Sequence, residues 1–135
     1  MPRGPLPPQV REFLESPHLA ALATLGRDGS PQATVLWYLL EGDLVLVNTR
    51  VGRSKVRNLD RDPRVALAVY DRADPYRSVQ VRGVVSGRRD GAAAGEDIHR
   101  LSRRYTGKDF RDAQGRVSYL ITVRSWSTYG LPEIE

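Results

Sequence analysis

The chain has 135 residues, 40% of them hydrophobic, and a formal net charge of +5 at pH 7. This length predicts one domain, residues 1–135, whose core is large enough to be stable without cross-links. Because the chain has no cysteine and only two histidines, it can form no disulfide, no thiolate metal site and no cysteine nucleophile, and we expect no metal site.

The basic charge favours anionic partners, either a nucleic acid or an acidic small molecule. The tyrosines are scattered and the sequence has no helix-turn-helix or RNA-binding platform pattern, so we expect no specific nucleic-acid binding. No apolar run approaches the length of a membrane span, and the N-terminus lacks the apolar stretch of a signal peptide. We therefore expect a cytoplasmic protein that does not associate with membranes.

In the N-terminal half, a proline-rich segment over residues 1–8 is expected to be flexible. One helix and three strands are then predicted, over residues 9–15, 18–25, 32–40 and 44–47. Asp28-Gly29 predicts a hairpin turn between the first two strands, since this dipeptide readily adopts the positive φ angles of such turns.

In the C-terminal half, two helices and three strands are predicted in the order helix, strand, strand, helix, strand, over residues 53–61, 65–70, 78–86, 92–105 and 117–123. Ala94, Ile98, Leu101 and Tyr105 form the apolar stripe of the longer helix. Because helices and strands do not alternate, the pattern predicts a mainly β fold, a six-stranded antiparallel barrel with accessory helices.

The short helix over residues 53–61 is strongly basic and carries the clearest functional signal. Arg53 and Arg57 are four residues apart and share one face, which Lys55 and Asn58 flank. Just upstream, Asn48 and Thr49 place short polar side chains near the start of the helix, where backbone N–H groups bind anions. This arrangement suits a phosphate; the alternative is a solvated helix whose arginines pair with neighbouring aspartates.

No motif for side-chain catalysis is present, because the sequence lacks G-x-S-x-G, H-E-x-x-H and a Walker A loop. His18 begins a strand without an evident acidic partner, and His99 lies among arginines on a helix. Any catalysis is therefore expected to come from a bound cofactor.

Several segments, in order, resemble the pyridoxamine 5′-phosphate oxidase-like superfamily of flavin and deazaflavin oxidoreductases, which folds as an FMN-binding-like split β-barrel. They are residues 22–25, 28–32, 35–38, 53–59, 61–65, 81–83 and 129–132. Within the superfamily, the chain is most similar to the actinobacterial branch that binds coenzyme F-420, an 8-hydroxy-5-deazaflavin with an acidic oligoglutamate tail.

The resemblance implies a homodimer with the cofactor site at the subunit interface. The implied cofactor-binding residues are Gln32, Ala33, Thr34, Val35, Trp37, Asn48, Thr49, Arg53, Lys55, Arg57, Asn58, Gln80, Trp126 and Tyr129. For the three large aromatics in this set, a place in the barrel or dimer core is the alternative.

The implied activity is hydride transfer from reduced coenzyme F-420 to a conjugated small-molecule substrate. Gln80 resembles the flavin-binding relatives more closely, so an FMN-binding oxidoreductase of the same fold is one alternative. A non-catalytic cofactor or haem carrier is another, because a phosphate anchor indicates binding and not turnover.

Overall fold

A computed structural model describes residues 4–131 of the chain. In chain order, this range contains α1 (Pro8–Glu15), β1 (Leu19–Leu25), β2 (Pro31–Leu36), β3 (Tyr38–Glu41), β4 (Leu44–Arg50), α2 (Ser54–Arg61), β5 (Arg64–Tyr70), β6 (Ser78–Asp90), α3 (Gly91–Thr106) and β7 (Arg116–Tyr129). Residues 1–3 of the segment expected to be flexible, and Pro132 of the closing motif, lie outside the described residues. No helix within 4–131 is long and apolar enough to cross a bilayer.

The strands form one antiparallel sheet in the order β2-β1-β5-β6-β7-β4-β3. The mainly β class with accessory helices is thereby confirmed. The predicted Asp28-Gly29 hairpin joins β1 to β2, where Gly29 adopts a φ of 85° and Asp28 Oδ1 accepts a hydrogen bond of 2.9 Å from the Ser30 N–H.

The prediction of six strands was wrong, because the segment predicted as one strand over residues 32–40 is two strands. It breaks at Trp37: β2 pairs with β1 at one edge of the sheet, and β3 pairs with β4 at the other. Since successive Cα atoms are about 3.8 Å apart, the two edges approach within about 8 Å at Trp37. The sheet must therefore curl into a barrel, with an unpaired seam at that residue.

Apolar side chains pack on both sides of the curled sheet. The larger cluster joins the inner sides of the strands to α1 and α2, through residues such as Phe13, Val47 and Leu59. A smaller cluster packs Ile98 and Leu101 of α3 against Leu39 and Leu46 on the opposite side of β3 and β4. The apolar stripe predicted for the longer helix is thus confirmed, and β4 is covered on both sides.

Candidate functional site

A cleft of about 500 Å³ lies where β2, the end of β4, the start of α2, α3 and the start of β7 meet. Its walls are formed by Leu19, Gln32, Thr34, Val35, Leu36, Trp37, Asn48, Thr49, Arg50, Arg53, Ser54, Lys55, Ile98, Leu101, Phe110 and Arg116. The lining combines four cationic side chains with a group of apolar ones, and the two groups meet where Arg116 lies over the Phe110 ring.

The cationic part contains Arg50, Arg53, Lys55 and Arg116, and none of the aspartates and glutamates within residues 4–131 lines the cleft. Elsewhere in the described chain, carboxylates neutralise seven arginines in ion pairs: Arg11, Arg64, Arg77, Arg88, Arg89, Arg100 and Arg103. The cleft cations have no such partner among the described residues. A concave surface lined by one sign of charge attracts ions of the opposite sign.

Helix α2 begins at the cleft. Arg53 is its N-cap residue, with φ −70° and ψ 150°, and no side chain caps the helix. Ser54 and Lys55 follow and line the cleft, so the uncapped N–H groups of the first turn lie beside the cationic side chains. Backbone donors at a helix start, combined with Lys and Arg, are a common arrangement for binding phosphate.

Lys55 is half-buried, and its Nζ donates a hydrogen bond of 3.1 Å to Thr34 Oγ1. Burial, reinforced by the charges of Arg53 and Arg116, lowers the pKa of the Lys55 ammonium below its ordinary value. An ammonium has three donors, and only the bond to Thr34 is satisfied within residues 4–131. Lys55 is therefore a desolvated cation with donors left for an anion.

Arg116, at the start of β7, is held in place by two neighbours. Its Nε donates a hydrogen bond of 2.8 Å to Asn48 Oδ1, and its guanidinium lies 5.2 Å from the centre of the Phe110 ring. Burial, followed by repulsion from Arg50 and Arg53, lowers the pKa of Arg116. The Nδ2 group of Asn48 donates to Ala94 O and Ser118 Oγ, so Asn48 is buried and orients Arg116.

The apolar part of the cleft centres on Trp37. Its ring stacks on Tyr105, with centroids 5.2 Å apart and planes within 7°, and meets Phe110 edge-on at 6.4 Å. Leu36 and Leu101 continue this wall. A flat conjugated ring would find apolar contacts here, next to the cations that could hold an anionic end.

Eight of the residues predicted to bind a cofactor line this one cleft: Gln32, Thr34, Val35, Trp37, Asn48, Thr49, Arg53 and Lys55. Asn58 is buried behind the wall, where its Nδ2 donates to Thr24 Oγ1 and Gln32 Oε1 and so fixes the Gln32 side chain. Arg57 is exposed and donates a hydrogen bond of 3.1 Å to Gly52 O. Ala33 is exposed on β2, outside the cleft.

The structure does not bring the other three predicted residues to this cleft. Gln80 is exposed on β6, opposite Ala68 of β5, and Tyr129 is 64% exposed at the end of β7. Trp126 is buried in the barrel core, and its indole N–H has no hydrogen-bond partner within the described residues. The side chains of Gln80 and Tyr129 are therefore exposed, but they lie outside the cleft of their own protomer.

The sequence analysis missed Arg50, Arg116 and Phe110. Each belongs to a segment with no local motif, and only the pairing of β4 with β7 brings Arg50 and Arg116 together. The one available signal was the position of Arg50 at the end of a strand that precedes the basic helix. Arg116 and Phe110 carried none.

Residues 6–130 match the family described as pyridoxamine 5′-phosphate oxidase. No curated protein gave a significant match. Among solved structures, an F420 reductase is 30% identical, with a TM-score of 0.78, covering 94% of this chain and 98% of its own. A conserved hypothetical protein from Mycobacterium tuberculosis is 26% identical, with a TM-score of 0.74, covering 98% and 92%.

A haem storage protein of Vibrio cholerae has a TM-score of 0.68 and covers 94% of this chain and 96% of its own. At 18% identity, this likeness shows the fold alone.

Proposed function

The chain belongs to the pyridoxamine 5′-phosphate oxidase family, and we propose that it is a reductase that uses reduced coenzyme F-420 to reduce a conjugated small molecule. Membership points to an oxidoreductase with a flavin or deazaflavin cofactor. The choice of F-420 is supported by the 30% identity to an F420 reductase and by the charge of the cleft.

The observation that carries the proposal is a cleft with four cations and an adjoining aromatic wall, which no carboxylate of the described residues lines. FMN has one phosphate monoester, with a charge of about −1.5 to −2. The positive charge of four cationic side chains exceeds the negative charge of that one phosphate. The oligoglutamate tail of F-420 would add further negative charges. The cationic surplus therefore favours F-420 over FMN.

In this proposal, Lys55, Arg53 and the first N–H groups of α2 bind the anionic end of the cofactor. Trp37 and Leu36 would provide the apolar surface against which the ring packs. When bound and reduced, the deazaflavin supplies a hydride at ring carbon C5 to an electron-poor double bond. The protein contributes mainly by orienting the two reactants.

No Tyr, His, Asp or Glu side chain lines the cleft in the described part of the chain. The hydroxyl of Tyr105, whose ring stacks on Trp37, is already hydrogen-bonded to the carbonyl oxygens of His18 and Tyr38. In this proposal no side chain of the described protomer donates the proton to the product, which comes from solvent or from a group of the second subunit.

The second part of the proposal is a homodimer with the cofactor at the subunit interface. Val35 is 60% exposed on the edge strand β2, on the same side as the exposed Ala33, and such an apolar edge is normally covered. Gln80 and Tyr129 lie away from the cleft of their own protomer, so they could contact a cofactor only from a second protomer. Sedimentation analysis of the purified protein tests the dimer directly.

The test of the function is a parallel titration with F-420 and FMN, followed by reduction assays on quinones and enones. We expect tighter binding of F-420, and reduction that depends on it. Tight binding of FMN with FMN-dependent turnover would replace the proposal by the flavin alternative. Binding without turnover on any conjugated acceptor would favour a carrier, although no histidine lines the cleft to ligate a haem.

A further inference from the structure

Arg50 and Arg116 lie directly opposite each other where β4 pairs with β7. The Cα atoms of such opposed residues are about 4.5–5.5 Å apart, and like charges at this spacing destabilise an antiparallel pair. Neither arginine forms an ion pair with any described carboxylate. Among residues 4–131, Asp112 is the acid whose charge raises the pKa of Arg116, and its Oδ1 accepts a hydrogen bond of 3.0 Å from the Gln114 N–H.

A chain of buried hydrogen bonds fixes Arg116 in this unfavourable position. Asn48, which accepts from Arg116 Nε, donates 2.8 Å to Ser118 Oγ, and Ser118 in turn donates 2.8 Å to Asp97 Oδ2. Asn48, Ser118 and Asp97 are at most 6% exposed. Arg89 and Arg100 anchor Asp97 from the far side.

This series of hydrogen bonds uses only the Nε of Arg116. The terminal guanidinium nitrogens, which can grip an anion through two parallel hydrogen bonds, have no partner among residues 4–131. A guanidinium that is repelled by its neighbour, rigidly held and unsatisfied at its tip is preorganised for an anionic ligand.

We propose that Arg116, together with Arg50, forms a second anion subsite contiguous with the one at the start of α2. Both subsites belong to the same cleft. Arg53 lies close enough for its charge to lower the pKa of both Lys55 and Arg116. The cleft consequently selects ligands that carry at least two anionic groups in series. The second subsite rests on the proposed function for the identity of its ligand. If the ligand is F-420, the group bound by Arg116 is a carboxylate of the cofactor tail.

The roles differ along the chain of contacts. Arg116 touches the second anionic group and determines specificity. Asn48 is a positioning residue, because it acts through Arg116. The substitution Asn48→Ser removes the acceptor of this hydrogen bond, so that the Arg116 guanidinium is present but no longer held by it.

The experiment compares inorganic phosphate with tripolyphosphate in calorimetric titrations at fixed low ionic strength, where screening is weak. We expect the wild-type protein to bind tripolyphosphate about tenfold or more tighter than phosphate. Arg116→Ala should lose most of this preference, whereas Lys55→Ala should weaken the binding of both ligands. Arg27→Ala removes the same charge from the exposed β1–β2 turn and should behave as wild type.

The measured quantity is the ratio of two affinities, which a partial loss of folded protein does not change. Asn48→Ser should lower this ratio while phosphate binding persists, and a thermal melt confirms that each variant is folded. If Arg116→Ala weakens the binding of phosphate and of tripolyphosphate by the same factor, or changes neither affinity, the second subsite does not exist.

Neither probe contains a ring, so the outcome is separable from the proposed function. A preference for tripolyphosphate that depends on Arg116, in a protein that does not bind F-420, would uphold the subsite and overturn the cofactor. Tight F-420 binding in a protein without that preference would uphold the cofactor and overturn the subsite.

Discussion

Leu36 and Tyr38 are two residues apart in the chain but belong to strands at opposite edges of the sheet. Leu36 pairs with Ala20 of β1, and Tyr38 pairs with Val47 of β4. The residue between them, Trp37, spans the seam of the barrel and is fixed there by stacking on Tyr105. The seam therefore places one rigid aromatic side chain in the wall of the cleft.

This position makes Trp37 the expected reporter of cofactor binding. The chain has one other tryptophan, Trp126, which is buried in the core and does not line the cleft. We expect bound cofactor to quench mainly Trp37, so Trp37→Phe should lose most of the quenching in a fluorescence titration. Trp126→Phe is the matched control, and it should retain the quenching. The reverse result would move the ring binding site away from the seam.

Lys55→Ala should weaken cofactor binding by about 1.5–3 kcal/mol, because it removes a charge-assisted contact. Lys108, the only other lysine, is exposed beyond the end of α3 and provides a control with the same loss of charge. Lys108→Ala should leave the dissociation constant as in the wild type. An unchanged dissociation constant for Lys55→Ala would remove that side chain from the site.

Affinity for an anionic cofactor should fall at alkaline pH. Burial lowers the pKa of Lys55 in the free protein, and a bound anion raises it again, so binding is coupled to protonation. Affinity should be full below the lowered pKa and fall as the pH rises through it. Titrations between about pH 7 and pH 10 would measure this decline.

Lys55→Arg provides the control for this pH dependence, since a guanidinium stays charged across the whole range. Its affinity should be flat with pH. A decline of the same size in Lys55→Arg would assign the pH dependence to another group.

The sequence predicted those features that depend on local patterns. The basic helix, the Asp28-Gly29 hairpin and the apolar stripe of α3 each have a period or a turn dipeptide that marks them. The prediction that Lys55 and Arg53 bind an anion has the same kind of basis, their position at the start of a helix that follows a strand.

The remaining features depend on long-range pairing, which leaves no local mark. The alternation of side chains continues through Trp37, so the break between β2 and β3 was invisible in the sequence, and one strand was predicted where there are two. Arg116 enters the cleft because β7 pairs with β4 in a register that sets it opposite Arg50. The role of Asn48 in holding Arg116 was hidden for the same reason.

The pairing of β7 with β6 contains register shifts, and one of them gives a final prediction. Pairing between β6 and β7 shifts between Arg82 and Gly83, and a Cβ atom on Gly83 would lie 2.4 Å from Thr122 O and 2.9 Å from Ile121 Cγ2. A bulge bends the strands that carry it, and glycine at this position leaves room for the close approach of the two strands. Gly83→Ala should lower the free energy of unfolding by about 2–3 kcal/mol through overpacking against backbone.

Gly87, at the second register shift, is the matched control. A Cβ atom there would lie 3.2 Å from Leu120 Cδ1, the end of a flexible side chain that can move. Gly87→Ala should therefore cost less than about 1 kcal/mol. Urea unfolding of both variants measures the difference, provided that the m-value stays constant. Equal losses of stability would show that the approach at Gly83 relaxes freely, and the bulge would then not require glycine.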